Sequence, residues 1–287
     1  MTGTGYTRCV TIDPATPFEA MAASYDELEP WYEHLYAILH ELVRTQLAPP
    51  AAGGSLRALD AGCGTGFQTA ILLTLGHRTC GIDLSARMLD IARRHYPAAR
   101  LIRGDLEALP WREATFDVVV SCGSTLSFVA RPARALGEIG RVLRPGGRAL
   151  LEVEHRWSLD LVWRWLSSVT GDPLGYGATA VDARAAFARP HRDGIWMDYP
   201  GYPRLRLFTR PELARLLTAA GLSPVRMWGL HSVTNVIPST VLHRPRLGHA
   251  TGACYRGLCA LDRALAATSA GRGLANSLVV LATKPDR

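Results

Sequence analysis

Lysine is nearly missing from this chain: Lys284 is the only one among 32 basic side chains, so arginine carries the positive charge. Against 25 acidic residues this leaves a formal net charge of +7, a sign that suits nucleic acid or an anionic membrane. The arginines are scattered and not interleaved with aromatics, so they read as compositional bias rather than a binding stripe. Cysteine is also sparse. None of Cys9, Cys63, Cys80, Cys122, Cys254 and Cys259 makes a C-x-x-C pair or a Cys/His cluster with zinc spacing. That excludes a zinc module; reduced thiols and no metal are expected. No apolar run reaches the roughly 18 residues of a membrane span. The opening MTGTGYTRCVTIDP has no basic patch leading into an apolar stretch, so no signal peptide is expected and the chain is read as cytoplasmic. With 48% hydrophobic and 20% charged residues, disorder is excluded. The 287 residues allow one large domain or a domain carrying an inserted cap.

What is present is an alternation of short apolar runs and helical runs. Residues 17–47 are helical in period, with Leu28, Trp31, Leu35, Leu39 and Leu42 as an apolar stripe and Pro30 as the break between two helices. A breaker cluster, APPAAGGS, closes this N-terminal helical cap at residue 54 or 55. Strands follow at LRALDAG, TCGIDL, ARLIRGD, TFDVVVS and RALLEVE. Between them lie helices at TAILLTLG, at SARMLDIARRHY with Ser85 as N-cap, and at PARALGEIGRVLRPGG, closed by its Pro-Gly-Gly. Such alternation implies βαβ units and a parallel sheet, so residues 55–154 are taken as an α/β core. Residues 155–207 break the rhythm, rich in Trp, Tyr, Pro and Gly, and are read as an inserted cap. From 208 to 287 the core resumes: a helix at TRPELARLLTAAGL with Thr209 as N-cap, a strand at PVRMWGL, an irregular excursion over 231–274 with one helix at YRGLCALDRALAA, and a last strand at SLVVLAT.

The motif that carries chemistry is LDAGCGTG, residues 59–66, between a strand and a helix. Gly62, Gly64 and Gly66 permit a tight turn and close approach of backbone to a ligand; Asp60 and Cys63 complete the loop. The spacing is G-x-G-x-G, with Phe67 where a dinucleotide fingerprint has glycine. Asp83 ends the second strand, where a carboxylate accepts bonds from ribose hydroxyls and repels a 2′-phosphate, against NADP. Asp105 ends the third, placed to accept a bond from an adenine amine, with Leu84, Met88 and Leu106 as apolar faces for the ring. All of these sit at the carboxyl ends of strands, where open α/β sheets bind ligands.

This run of motifs resembles the class I S-adenosylmethionine-dependent methyltransferases, in particular the branch with the ubiquinone and menaquinone biosynthesis enzymes. The resemblance covers residues 55–154 closely and TRPELARLLTAAGL and GLH more loosely. It implies a Rossmann-like, seven-stranded, mostly parallel sheet with helices on both faces and an aromatic-rich cap. It implies S-adenosylmethionine as cofactor: the glycine loop on its methionine part, Asp83 on ribose, Asp105 and Leu106 framing adenine, and the backbone around Ser121 and Cys122 at the methionine end. The ASYDEL segment would fold Tyr25 over the cofactor.

Methyl transfer to oxygen or nitrogen can require removal of a proton, and histidine suits that near neutral pH. His155 follows the fifth strand and His231 the sixth; the resemblance at GLH favours His231 in substrate binding or proton removal. SCGSTLS follows the fourth strand instead of the Asn/Asp-Pro-Pro-aromatic segment of enzymes that modify base amines. A small, apolar or aromatic acceptor of the quinone, isoprenoid, lipid or secondary-metabolite kind, methylated on oxygen, is therefore expected. No specific nucleic acid is expected as partner. The competing readings are a nucleic-acid methyltransferase and a non-catalytic module that binds the nucleoside. DLVWRWLSSV is amphipathic, with Leu161, Trp165 and Val169 on one face, and offers the 155–170 helix as a peripheral membrane contact.

Overall fold

The valine-rich strand β4, Phe116–Ser121, shows how the sheet is covered. Val119 faces one apolar core, with Leu59, Leu136, Ile139, Leu151 and Leu217. Val118 and Val120 face another, with Leu39, Val43, Leu72 and Leu150. A strand buried on both faces needs a continuous apolar run, and Val118, Val119 and Val120 supply it. The computed structural model describes residues 15–25, 29–50, 53–177, 179–190, 192–198, 203–242 and 247–286. Cys9, Leu28, Tyr199 and Tyr202, and the side chains of Pro30, Trp31 and Leu35, lie outside what is described.

The strands of the main sheet are β1 Arg57–Ala61, β2 Arg78–Asp83, β3 Arg100–Arg103, β4 Phe116–Ser121, β5 Leu143–Glu154, β8 Ser223–Leu230 and β9 Ser277–Thr283. Their order is β3-β2-β1-β4-β5-β9-β8. Every pairing from β3 to β5 is parallel, and β9 runs antiparallel to both β5 and β8. This is the mostly parallel seven-stranded sheet that the motifs implied. The strand order reverses between β1 and β4, which opens a crevice above their carboxyl ends.

Two helices precede the sheet, α1 Ala15–Tyr25 and α2 Glu29–Gln46, the second kinked at Tyr36. Around the sheet lie α3 Phe67–Thr74, α4 Ala86–His95, the short α5 Thr125–Phe128, α6 Pro132–Val142 and α9 Arg210–Ala219. Ser85 caps α4 by accepting from the Met88 N–H, and Thr209 caps α9 by accepting from the Glu212 N–H. One boundary differs from expectation. The LRPGG stretch belongs to β5, because α6 stops at Val142 and Leu143 already pairs with Phe116.

The inserted stretch holds α7 Leu159–Val169, α8 Ala180–Ala188 and an antiparallel ribbon of β6 Ile195–Met197 with β7 Leu205–Leu207. Leu161, Ala186, Ile195, Met197, Leu205 and Leu207 form its own small core. Arg156 fixes this layer to the sheet. Its side chain is completely buried and donates to the carbonyls of Ala186, Arg189, Pro190 and Asp193, while its guanidinium lies 4.4 Å from the Trp157 ring centroid. The face of α7 is not the expected one: Leu161, Arg164 and Ser167 point inward, whereas Val162, Leu166 and Val169 are exposed. The three-residue step from 161 to 164 sets that face, because an aliphatic arginine stem packs as well as a leucine.

The second excursion is mostly helical: a 3-10 turn at Thr234–Val236, then α10 Ser239–Leu242, α11 His249–Leu265 and α12 Ser269–Leu274. No helix among the described residues is long and apolar enough to cross a membrane.

Candidate active site

Two cavities lie side by side above the sheet's crevice, of about 300 and 370 Å³. Both volumes fall in the range of small-molecule sites. They share Phe18, Tyr25, Gly123 and Phe128 in their walls.

The smaller cavity is built by the loops after β1, β2, β3 and β4. Gly62 and Cys63 donate their N–H groups to the Ile82 carbonyl, at 2.8 and 3.0 Å, which folds the glycine loop back over β2. Gly62 has φ +84°, and a Cβ there would lie 2.2 Å from the Thr125 Cγ2. The close approach of the first and fourth strand loops therefore demands glycine. Asp83 accepts from the Gly64 N–H at 2.8 Å and from the Ser85 N–H at 2.9 Å. The Gly64 bond ties the loop after β1 to the end of β2, and the Ser85 bond, local to the β2 loop, helps aim the carboxylate. Burial pushes the Asp83 carboxyl above its usual range, and the two N–H donors hold it back. Asp105 accepts from the Glu107 N–H at 2.8 Å.

Cys63, Gly62, Gly64, Asp83, Leu84, Met88, Asp105, Leu106 and Tyr25 all line this cavity. The structure thus brings together most of the residues singled out by sequence. Three stand behind the wall instead. Asp60 is completely buried and accepts a 2.7 Å bond from the Thr69 hydroxyl, which fixes the start of α3. Burial raises its carboxyl to about 7. Ser121 donates to the Ala61 carbonyl at 2.8 Å and so ties β4 to β1; its neighbours Cys122 and Gly123 reach the wall. Gly66, at φ +103°, makes room for the Tyr96 ring, which a Cβ would meet at 2.6 Å. Among the wall residues that the sequence reading missed are Glu107 and Arg131. Glu107 accepts from the Arg131 backbone N–H and guanidinium at 2.7 and 2.6 Å, an ion pair across the rim. Their 24-residue separation left no local signal.

Does this cavity suit an adenosyl sulfonium? Asp83 retains carboxylate lone pairs beyond those that meet Gly64 and Ser85. Met88 and Leu106 offer apolar faces, and a Cβ at Gly64 would find nothing within 4 Å, so the loop leaves open space beside its backbone. The residues fit the group.

The larger cavity lies under the cap. Phe18, Tyr25, Tyr36, Phe128, Tyr176 and leucines of α7 and β7 make its wall mostly apolar. His155 and His231 both line it. His155 Nδ1 lies 3.0 Å from the Ala275 carbonyl, which can only accept, so Nδ1 carries the proton and Nε2 the lone pair. Burial lowers this histidine to about 4, so it is neutral at pH 7. His231 sits at φ +55° after β8, with Nδ1 3.2 Å from the Thr234 hydroxyl and its ring edge-on to Tyr36.

Glu154 is a further polar residue of this wall. Its Oε1 accepts from the Ser124 hydroxyl at 2.5 Å, and its Oε2 lies 3.3 Å from Asn276 Nδ2. Burial and the nearby Glu152 push it up to about 8, so it holds a proton at neutral pH. Asp160 accepts from the Tyr176 hydroxyl at 2.6 Å and from the Ser239 N–H at 3.0 Å. Among the described residues, no lysine or arginine lines this cavity.

Comparison with known proteins agrees with this geometry. A methyltransferase domain family matches residues 59–151. The chain is 30% identical over 225 residues to a 2-phytyl-1,4-naphtoquinone methyltransferase of Thermosynechococcus vestitus, covering 74% of this chain and 92% of that protein. It is 34% identical over 146 residues to a malonyl-[acyl-carrier protein] O-methyltransferase of Erwinia pyrifoliae, covering 50% and 55%. The chain spans about half or less of the length of the malonyl and biotin-biosynthesis relatives that it matches. An S-adenosylmethionine-dependent methyltransferase of Mesorhizobium loti shares the fold at TM-score 0.51 and 18% identity, covering 85% of this chain and 97% of that one. With the glycine loop, the strand-end acids and a match that spans 74% of this chain and 92% of the quinone methyltransferase in place, the chain belongs to the S-adenosylmethionine-dependent methyltransferase family.

Proposed function

We propose that the protein transfers a methyl group from S-adenosylmethionine to the oxygen of a small acceptor with an aromatic or apolar body. The observation that carries this reading is the pair of cavities meeting at Gly123, one lined by the glycine loop, Asp83 and Asp105 and the other by aromatic rings and two histidines. In this reading Asp83 holds the ribose, Asp105 and Leu106 flank adenine, the backbone of Gly62, Cys63 and Gly64 cradles the methionine part, and Tyr25 closes over the junction. The bound donor supplies an electrophilic methyl on sulfur. The chain's own contribution is alignment, exclusion of water by Phe18, Tyr25 and Phe128, and removal of the acceptor's proton.

The electrostatics of the larger cavity narrow the acceptor. Its wall carries Glu154 and Asp160 and, among the described residues, no cation. An acceptor that is itself a free carboxylate would find no cationic side chain there to pair with. A hydroxylated ring or chain, neutral before reaction, suits the wall. Two measurements test this. Titration calorimetry with S-adenosylhomocysteine should show binding that falls at least tenfold in Asp83→Ala. Extracts incubated with the protein and isotope-labelled donor, read by mass spectrometry, should show label in a neutral hydroxyl compound. Label confined to carboxylic acids, or absent altogether, would overturn the assignment.

A further inference from the structure

His231 occupies a backbone conformation that costs an L-residue about 1 kcal/mol or more and that glycine adopts freely. Its φ is +55°, immediately after β8, on the wall of the acceptor cavity. A turn that needed only to reverse the chain would be more stable with glycine there. An imidazole held at such a point is one whose side chain is used, as strained positions at functional sites commonly are.

Its surroundings fix which nitrogen carries the proton. Asp262, on α11, is buried, and its carboxylate accepts from the Val233 N–H at 2.6 Å and the Thr234 N–H at 3.2 Å. It also accepts from the Thr234 hydroxyl. A hydroxyl has a single proton, and here it is committed to the carboxylate. Toward His231 Nδ1, 3.2 Å away, the same oxygen can therefore only accept. Nδ1 must be the protonated nitrogen, and the lone pair falls on Nε2. The Tyr36 ring, edge-on with its centroid 6.2 Å from that of the imidazole, packs beside it.

We infer that Thr234 and Asp262 are positioning residues: through a hydroxyl relay they hold His231 in its Nδ1–H form, so that Nε2 takes the proton from the methyl acceptor. The inference rests on the proposed methyl transfer to a hydroxyl in this cavity. In that step the acceptor's O–H proton moves to Nε2 as its oxygen bonds to the methyl carbon. The donor's sulfur keeps the electron pair of the broken carbon–sulfur bond. The imidazolium that results is stabilised by the relay ending on the Asp262 carboxylate.

The test uses Thr234→Val, nearly isosteric, which keeps both backbone N–H bonds to Asp262 and so preserves the turn, together with Thr234→Ser as the conservative rescue. Long-range ¹⁵N spectra of the imidazole, taken at about pH 8.5 where an ordinary histidine is neutral, read the tautomer without any substrate. The wild type and Thr234→Ser should show His231 predominantly as Nδ1–H, with Nε2–H rising several-fold in Thr234→Val. With labelled donor and an extract as acceptor source, Thr234→Val should slow methyl transfer by about tenfold to a hundredfold and leave S-adenosylhomocysteine affinity unchanged. Thr234→Ser should recover the rate. An unchanged tautomer in Thr234→Val, a wild-type ring protonated on Nε2, or an unchanged rate despite a shifted tautomer would each overturn the relay. A wild type that shows the Nδ1–H form but labels no hydroxyl compound would instead count against the proposed reaction, and with it the relay's role in catalysis.

Discussion

Replacing Arg156 with methionine should loosen the cap while leaving the nucleoside cavity intact. The guanidinium serves four carbonyls, one from the last turn of α8 and three from the segment after it, and stacks on Trp157. Methionine fills the volume but donates nothing. Each carbonyl left dry costs about 1–3 kcal/mol, partly relieved when water enters. Hydrogen bonds to a charged donor are worth about 1.5–3 kcal/mol each, so with water relieving part of the loss the four together set a cost of about 3–5 kcal/mol. The cost falls on the insert, because Arg156 lines neither cavity and its partners all lie between residues 186 and 193. At about 1.4 kcal/mol per factor of ten, the open form of the cap should become roughly 10²–10³-fold more populated. Hydrogen exchange read by mass spectrometry should show residues 180–195 losing protection while peptides from β1, β4 and β5 keep theirs. S-adenosylhomocysteine should bind with wild-type affinity. Unchanged protection over 180–195, or equal loss across sheet and insert, would refute the reasoning.

Acid should destabilise the protein through His155. A histidine held at about 4 binds its proton more weakly folded than unfolded. Its contribution is complete above pH 6.5 and is lost as pH falls toward 4, by roughly 3 kcal/mol. His155→Asn, whose amide can still donate to the Ala275 carbonyl, should flatten that part of the curve of urea midpoint against pH; an unchanged curve would count against a buried neutral ring. Glu154 acts in the opposite direction. Held at about 8, it favours the folded state while protonated, so its contribution declines as pH rises from the ordinary glutamate range toward 8. Glu154→Gln should remove that decline in thermal melts taken from pH 5 to 8. Gly62→Ala forces a Cβ into Thr125 at a left-handed φ; S-adenosylhomocysteine affinity should fall at least tenfold by calorimetry, and wild-type affinity would argue that the two loops need not approach closely.

The smaller cavity was legible because its requirements are local. A glycine loop must follow β1, and acids must end β2 and β3, at spacings that the strands themselves dictate. The errors there concern which side of the wall a residue takes. Asp60 turns to Thr69 and Ser121 to Ala61, choices set by partners in other elements and invisible to spacing. The insert was illegible for a related reason. Its helix α8 and the β6–β7 ribbon have weak periodicity of their own, and their order depends on Arg156 reaching some 30 residues ahead. Glu154 could be placed on the same side of β5 as Glu152 by parity, but not on a cavity wall, since the wall is completed by residues of α1, α2, α5 and α7. The exposed row of Val162, Leu166 and Val169 likewise depends on which face of α7 the sheet leaves outside.

Glu19 gives the first helix a consequence for ligand binding. Its carboxylate accepts from the Ala86 N–H at 2.7 Å and the Arg87 N–H at 3.4 Å, so the opening turn of α4 is capped by a residue from 67 positions earlier. The same α1 supplies Phe18 and Tyr25 to both cavities, and α4 supplies Met88 to one. Seating of α1 and occupancy of the nucleoside cavity are thereby linked quantities. Whatever factor the docked helix adds to the affinity of a ligand in that cavity, the bound ligand returns to the docking of the helix.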